Sequence, residues 1–154
     1  MRRKKREIRP LRPDPKYNNL VLAKFINYLM SSGKKTTART VLYGALAKIE
    51  EAKKDPVEIF NLALRNITPR MQLRSKRVGG ANYQVPREVS PERGMSLAMR
   101  WLIQAARSKK GSDMGARLFE EIRDASQEAG IAFKKKEEVH RMAEANKAFA
   151  HFAY

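Results

Sequence analysis

The chain has 154 residues and no cysteine, which suits one domain with a modest core and excludes disulfides, thiol catalysis and thiolate metal sites. Lysine and arginine number 33 against 16 acids, a net charge of +17; such self-repulsion is normally relieved by a polyanion, with nucleic acid ahead of an anionic membrane. No apolar run approaches the roughly 20 residues of a membrane span. The basic stretch Met1–Arg6 is not followed by the hydrophobic region of a secretory signal, so a cytosolic protein is expected.

Residues 1–17 carry Arg2, Arg3, Lys4, Lys5, Arg6, Arg9, Arg12 and Lys16 against Glu7 and Asp14. Low apolar content predicts an arm that is disordered when free and orders on a partner; a solubilising tail is the plainer alternative. Pro10, Pro13 and Pro15 interrupt any amphipathic helix of a transit peptide. Residues 18–154 read as a single helical domain.

A first helix is predicted near Leu20–Ser31, where Leu22, Phe25, Ile26 and Leu29 share one face, with Gly33 just past its end. A second runs near Thr37–Lys53 on the stripe Ala38, Val41, Leu42, Ala45, Leu46 and Ile49. Asp55-Pro56-Val57-Glu58 is a start signal with Asp as N-cap and Pro at the first helical position. That third helix buries Phe60, Ala63, Leu64 and Ile67 and stops before Pro69.

Two extended runs follow, Leu73–Val78 and Tyr83–Val89, around a Gly79-Gly80-Ala81-Asn82 break. They read as a β-hairpin at about 70–89. Between Arg70 and Arg87 it holds five cations (Arg70, Arg74, Lys76, Arg77, Arg87) and no acid. Arg74 and Lys76 share one face while Leu73, Ser75 and Arg77 share the other. A hairpin without a clean apolar face is expected to project toward something anionic, and Pro86 suits an arm in which every strand is an edge.

Ser90-Pro91 opens a fourth helix with Met95, Ala98, Met99, Leu102, Ala105 and Ala106 inward, ending at Lys109-Lys110-Gly111. A fifth is predicted near Asp113–Ala129, closed by Gly130, and a sixth from about Lys134 to Phe149. The sum is a mainly α fold: a six-helix bundle with a two-stranded β-ribbon protruding between helices three and four.

The pairs Glu50/Glu51, Glu120/Glu121 and Glu137/Glu138 are sequence neighbours, which diverge by about 100° on a helix and make no carboxylate dyad. His140 and His151 fall about three helical turns apart and cannot share a metal. Gly79-Gly80 lacks the Lys-Ser/Thr of a P-loop. With no nucleophile matched to a base, catalysis is not expected and no cofactor or small-molecule substrate is implied.

Binding constellations remain: the arm, Lys34–Lys35 with Arg39, the hairpin cations, and Lys134–Lys136, with Arg93, Arg100, Arg107, Lys109 and Lys110 adding charge on or after the fourth helix. Each supplies a salt-dependent phosphate contact or remains plain solvated surface. Tyr83 either stacks on a base or packs within the hairpin, and Trp101 reads as packing. Separated patches favour folded RNA over a duplex, with an architectural DNA-binding protein as the alternative.

Long segments resemble a known family. They are Lys76–Val89 (KRVGGANYQVPREV), Ser96–Trp101 (SLAMRW), Val139–His151 (VHRMAEANKAFAH), Pro13–Tyr17 (PDPKY) and Leu22–Ala38 (LAKFINYLMSSGKKTTA). In order and spacing they are similar to the bacterial-type ribosomal protein seven of the small subunit, over nearly the whole chain. The resemblance implies a primary binder of 16S rRNA that nucleates assembly of the 3′ major domain, the head. It implies rRNA contacts through Arg2–Arg12, Lys34, Lys35, Arg70, Arg74, Lys76 and Arg77, with Arg93, Arg107 and Lys109 counted among the rRNA-binding candidates. It puts Gly79, Gly80, Ala81, Asn82 and Tyr83, with Arg141 and Lys147, near exit-site tRNA and mRNA at the subunit interface. It implies small-subunit proteins nine and eleven as neighbours and a place in the cytoplasmic ribosome. Two departures stand out: Gln72 where the family often has an acid, and Gly94 where it often has a second basic residue after Arg93. Gly94 is expected to remove a phosphate contact, weaken Arg93 as an anchor and soften that turn by about 1 kcal/mol relative to Ala.

Overall fold

A computed structural model describes residues 10–52 and 55–153. In chain order these form α1 (Leu20–Leu29), α2 (Lys35–Glu51), α3 (Pro56–Ile67), β1 (Met71–Val78), β2 (Ala81–Glu88), α4 (Pro91–Ser108), α5 (Met114–Ser126) and α6 (Gly130–Ala145), followed by a 3₁₀ turn over Lys147–Ala153. Six helices with a hairpin between α3 and α4 are what the periodicities imply.

Local chemistry sets most boundaries. The side chain of Asn19 accepts hydrogen bonds from Val21 N and Leu22 N at the start of α1, and Asp55 accepts from Val57 N and Glu58 N at the start of α3. Asp113 does the same for Gly115 N and Ala116 N in α5. Each satisfies orphan donors of a first turn. Three boundaries differ from expectation. α1 stops at Leu29, and the chain turns through Ser32 and Gly33, both at positive φ. Gly130 opens α6 rather than closing α5. The reason is a cap from another helix: Glu121 Oε1 accepts from Ala132 N at 2.8 Å. The last turn expected of α6 tightens into the 3₁₀ segment.

The core is built from the predicted stripes: Leu22, Phe25 and Ile26 of α1, Leu42 and Leu46 of α2, Phe60, Leu64 and Ile67 of α3, Met99 and Leu102 of α4, Leu118 and Ile122 of α5. Phe25 and Phe60 meet edge-on with ring centroids 5.1 Å apart. Burying each such side chain contributes about 1.5–3 kcal/mol. α5 packs against α2, α3 and α4, and α6 lies across α4, α5 and β1.

Two residues are fixed more firmly than the sequence implies. Asp14, assigned to a loose arm, is only 2% exposed. Its carboxylate accepts from Lys16 N and Tyr17 N and, at 2.7 Å, from Tyr43 Oη on α2. The chain is therefore anchored to the body from Asp14 onward. Gly94 is buried in α4, and a Cβ there would lie 2.9 Å from Thr68 Cγ2 and 3.2 Å from the Pro69 carbonyl oxygen. Its missing side chain lets α4 pass close to the α3–β1 junction, so this glycine serves packing, which offsets its lower helix propensity.

The hairpin is tighter than expected. Gly79 and Gly80 alone make the turn, at φ +56° and +89°. Two successive positive φ values suit a two-residue hairpin turn and explain the glycine pair. Ala81 and Asn82 belong to β2, and the register pairs Val78 with Ala81, Lys76 with Tyr83, Arg74 with Val85 and Leu73 with Pro86.

Candidate nucleic-acid interface

The register sorts the hairpin into two faces. Arg74, Lys76, Tyr83 and Val85 share one; Ser75, Arg77, Asn82 and Gln84 share the other. The first is partly covered. Tyr83 packs on Phe149 and Phe152 with centroids 5.1 and 5.4 Å away, and Lys76 Nζ donates to the Phe152 carbonyl oxygen at 2.9 Å. The C-terminal 3₁₀ segment thus lies along β2, and the ribbon is braced where a free projection was expected. The second face is open: Ser75, Arg77, Asn82 and Gln84 are all exposed, as are Arg74 and the turn at Gly79–Ala81. Of the two roles weighed for Tyr83, the structure supplies packing. The sequence signal was Phe149-x-x-Phe152, which has no reason to be apolar unless something covers it.

The hairpin's base is tied to the body through a histidine. Arg70 N donates to His140 Nε2 at 3.1 Å. Burial holds the His140 pKa below its ordinary value of 6.5, and Lys136 and Arg70 lower it further. The ring is an acceptor here, so its neutral form is the one the contact needs.

Elsewhere the fold gathers cations that are distant in sequence. Arg12 from the arm, Lys35 and Arg39 line one cleft of about 490 Å³ against α1 and α2. The buried Nε of Arg39 has no hydrogen-bond partner among the described residues. Lys34 and Arg107 line a smaller notch beside Val41 and Met114. Arg93 and Lys147 are exposed, and Arg141 is exposed beside Lys134 and Lys135. Arg2, Arg3, Lys4, Lys5, Arg6 and Arg9 lie outside the described residues.

Lys109 does something else. Its ammonium sits 3.1 Å from Glu121 Oε2, 3.5 Å from Asp124 Oδ2 and 3.6 Å from Glu120 Oε2, and Glu121 is fully buried. Burial alone lowers the Lys109 pKa, but the hydrogen bond and charge of Glu121, with Asp124, outweigh it and leave the pKa raised. Lys109 spends its charge on α5, so it is corrected from an RNA candidate to a structural cation. The sequence hid this because the three acids come from a different helix.

Among the described residues no group of three or more His, Cys, Asp or Glu is arranged to hold a metal ion, and no helix is long and apolar enough to cross a membrane. What the arrangement offers is several separate patches of exposed and half-buried cations on one helical body.

Comparison with known proteins agrees with this picture. The family model for ribosomal protein S7p/S5e matches residues 1–147. The chain is 54% identical to small ribosomal subunit protein uS7 of Nitrosomonas eutropha, covering 98% of this chain and 99% of the relative. It is 52% identical to that of Thermotoga petrophila, covering all of both chains, and 50% identical to that of Halorhodospira halophila over 98% and 99%. These names are those of a ribosomal protein and not of an enzyme, as the missing catalytic constellation led one to expect. Full-length matches at half identity and a family model spanning almost every residue make one conclusion plain: the chain belongs to the ribosomal protein S7p/S5e family.

Proposed function

We propose that this protein is a structural, RNA-binding component of the small ribosomal subunit, acting in translation in the cytoplasm. It binds 16S rRNA in the 3′ major domain and nucleates assembly of the head. The observation that carries the reading is the distribution of exposed and half-buried cations over the surface. Arg74 and Arg77 on the hairpin, the Arg12–Lys35–Arg39 cleft and the Lys34–Arg107 notch are separate patches on one body. A folded RNA junction presents backbone on several sides at once; a straight duplex does not. The relatives' names support the small-subunit part of this assignment.

The mechanism is electrostatic capture followed by ordering. Cations collect phosphates, displace condensed counterions and hold RNA helices in one mutual arrangement. Residues 1–12 belong to this set, as do Arg70, Lys76 and Arg93; Lys109 does not. The turn at Gly79–Asn82, with Arg141 and Lys147, faces exit-site tRNA and mRNA, and small-subunit proteins nine and eleven are its neighbours.

The test is a salt titration of affinity for a folded head-domain RNA, with duplex DNA as competitor. Arg74→Ala/Arg77→Ala lowers affinity and flattens the log–log salt slope by about 1.5, from roughly 0.7–0.9 per lost phosphate contact. An unchanged slope removes the hairpin from the rRNA interface. Equal affinity for the RNA and duplex DNA favours an architectural DNA-binding protein instead.

A further inference from the structure

A groove of about 530 Å³ runs between α4 and α6, with no lining residue from the hairpin or the Arg12–Lys35–Arg39 cleft. Trp101, Gln104 and Ser108 of α4 line one side, and Ile131, Lys134 and Arg141 of α6 line the other. Trp101 is half-buried and packed against the core, so one part of the indole is fixed from behind while the groove opens before it. Ile131, in the first turn of α6, is 46% exposed. Lys134 and Arg141 are exposed at the rim. The acid that lines the groove, Glu138, is already held by Lys135 Nζ at 2.7 Å. The groove joins a half-buried aromatic floor to a net positive rim, Lys134, Lys135 and Arg141 against Glu138.

We propose that this groove holds one unpaired nucleotide of the bound RNA, its base against Trp101 and Ile131 and its phosphate on Lys134 and Arg141. The assignment rests on the RNA-binding reading above and adds a base-binding subsite to it. Splayed-out bases are taken up on aromatic and apolar side chains, with hydrogen bonds to their edges and cations on their phosphates. Gln104 supplies both donors and an acceptor beside the indole, and Ser108 Oγ, which donates its proton to the Ala105 carbonyl oxygen at 2.8 Å, supplies an acceptor. A helix of a protein partner would ask for a continuous apolar stripe, and here the apolar surface is confined to Trp101, Ile131 and two alanines. An acidic protein segment is therefore the disfavoured occupant.

Trp101 is the sole tryptophan of the chain, so its fluorescence reports on this groove alone. The full chain is titrated with folded head-domain RNA while retention on a filter and tryptophan emission are read together. Saturation is expected to quench and shift the emission. Ile131→Glu abolishes that response and weakens binding by about fivefold, the low end of what one stacked base contributes. A carboxylate in the first turn of α6 suits the helix dipole, so the variant keeps its fold, checked by far-UV circular dichroism. RNA that binds without moving Trp101 emission overturns the groove assignment and leaves the RNA reading standing. The groove assignment also falls if Ile131→Glu binds and quenches like the parent, or if polyglutamate moves the emission and RNA does not. No RNA binding at all overturns both readings.

Discussion

The helical body and the hairpin use the same residue types toward opposite ends. Where α4 meets α5, cations are consumed: Lys109 is surrounded by Glu120, Glu121 and Asp124, and Arg117 Nη1 donates to the Lys109 carbonyl oxygen at 2.6 Å. In the hairpin, Arg74 and Arg77 point into water on strands that lack an apolar face. The body derives its order from apolar stripes; the ribbon borrows its order from the body, through His140 at its base and Phe149 and Phe152 beside Tyr83. Positive charge is thus a structural element at Lys109 and a surface for binding at Arg74 and Arg77, and the local density of carboxylates decides which.

The sharpest way to break this comparison is to remove one cation from each region. Lys109→Met leaves the buried Glu121 carboxylate without its counter-charge, expected to cost about 3–5 kcal/mol and to lower Tm by roughly 10 °C for a chain of this size. Arg77→Ala should change stability by no more than about 0.5 kcal/mol, as for other exposed sites. Thermal unfolding of both variants decides the matter. A Lys109→Met protein as stable as the parent would show that the ion cluster contributes nothing, and the contrast between regions would collapse.

A smaller effect is expected at the seam between the two regions. Gly94→Ala gains helix propensity of about 1 kcal/mol, yet its methyl meets Thr68 Cγ2 at 2.9 Å and the Pro69 carbonyl oxygen at 3.2 Å. Thr68 is not free to yield, because its Oγ1 donates to the Leu64 carbonyl oxygen at 2.6 Å. Overpacking should win, with a net loss of roughly 1–2 kcal/mol. Gly44→Ala, in α2 with open space around it, should gain up to about 1 kcal/mol. Opposite signs for the two substitutions support a seam set by close approach; the same sign for both refutes it.

These residues also mark how far the sequence could be read. The helical stripes, the Asp55-Pro56 start and the glycine turn were legible because each is determined within a few neighbouring residues. The start of α6 was not, since its cap is a carboxylate eleven residues back on another helix. Gly94 looked like a lost phosphate contact because nothing local reveals that Thr68 and Pro69 press against it. The cations of the interface were visible as a population, but their sorting was hidden. Lys109 and Arg107 are two residues apart, yet one is enclosed by α5 and the other faces a notch with Lys34. Tertiary partners, absent from any window of sequence, make that difference.

The mildest expected effect lies in the contact that joins ribbon to body. His140 Nε2 accepts the Arg70 amide, and its folded pKa lies below 6.5. The groups that face it are mostly cationic, Lys136 and Arg70 with Arg141 nearby, while Glu137 and Glu144 share its surface hollow. Because the folded pKa is depressed, the neutral ring contributes its full stability above the unfolded value. That contribution is lost as pH falls below 6.5 and through the folded pKa, where protonation removes the acceptor. The loss should be about 1 kcal/mol or less, the worth of one exposed hydrogen bond. It should show locally: amide exchange at Arg70, corrected for the intrinsic pH dependence, accelerates between pH ~7.5 and ~5. His140→Gln, an acceptor that does not titrate, should abolish the pH-dependent part while α2 and α3 exchange as before. If parent and variant lose protection at Arg70 in parallel, the hairpin's base is held by packing at the Gly94 seam rather than by the imidazole.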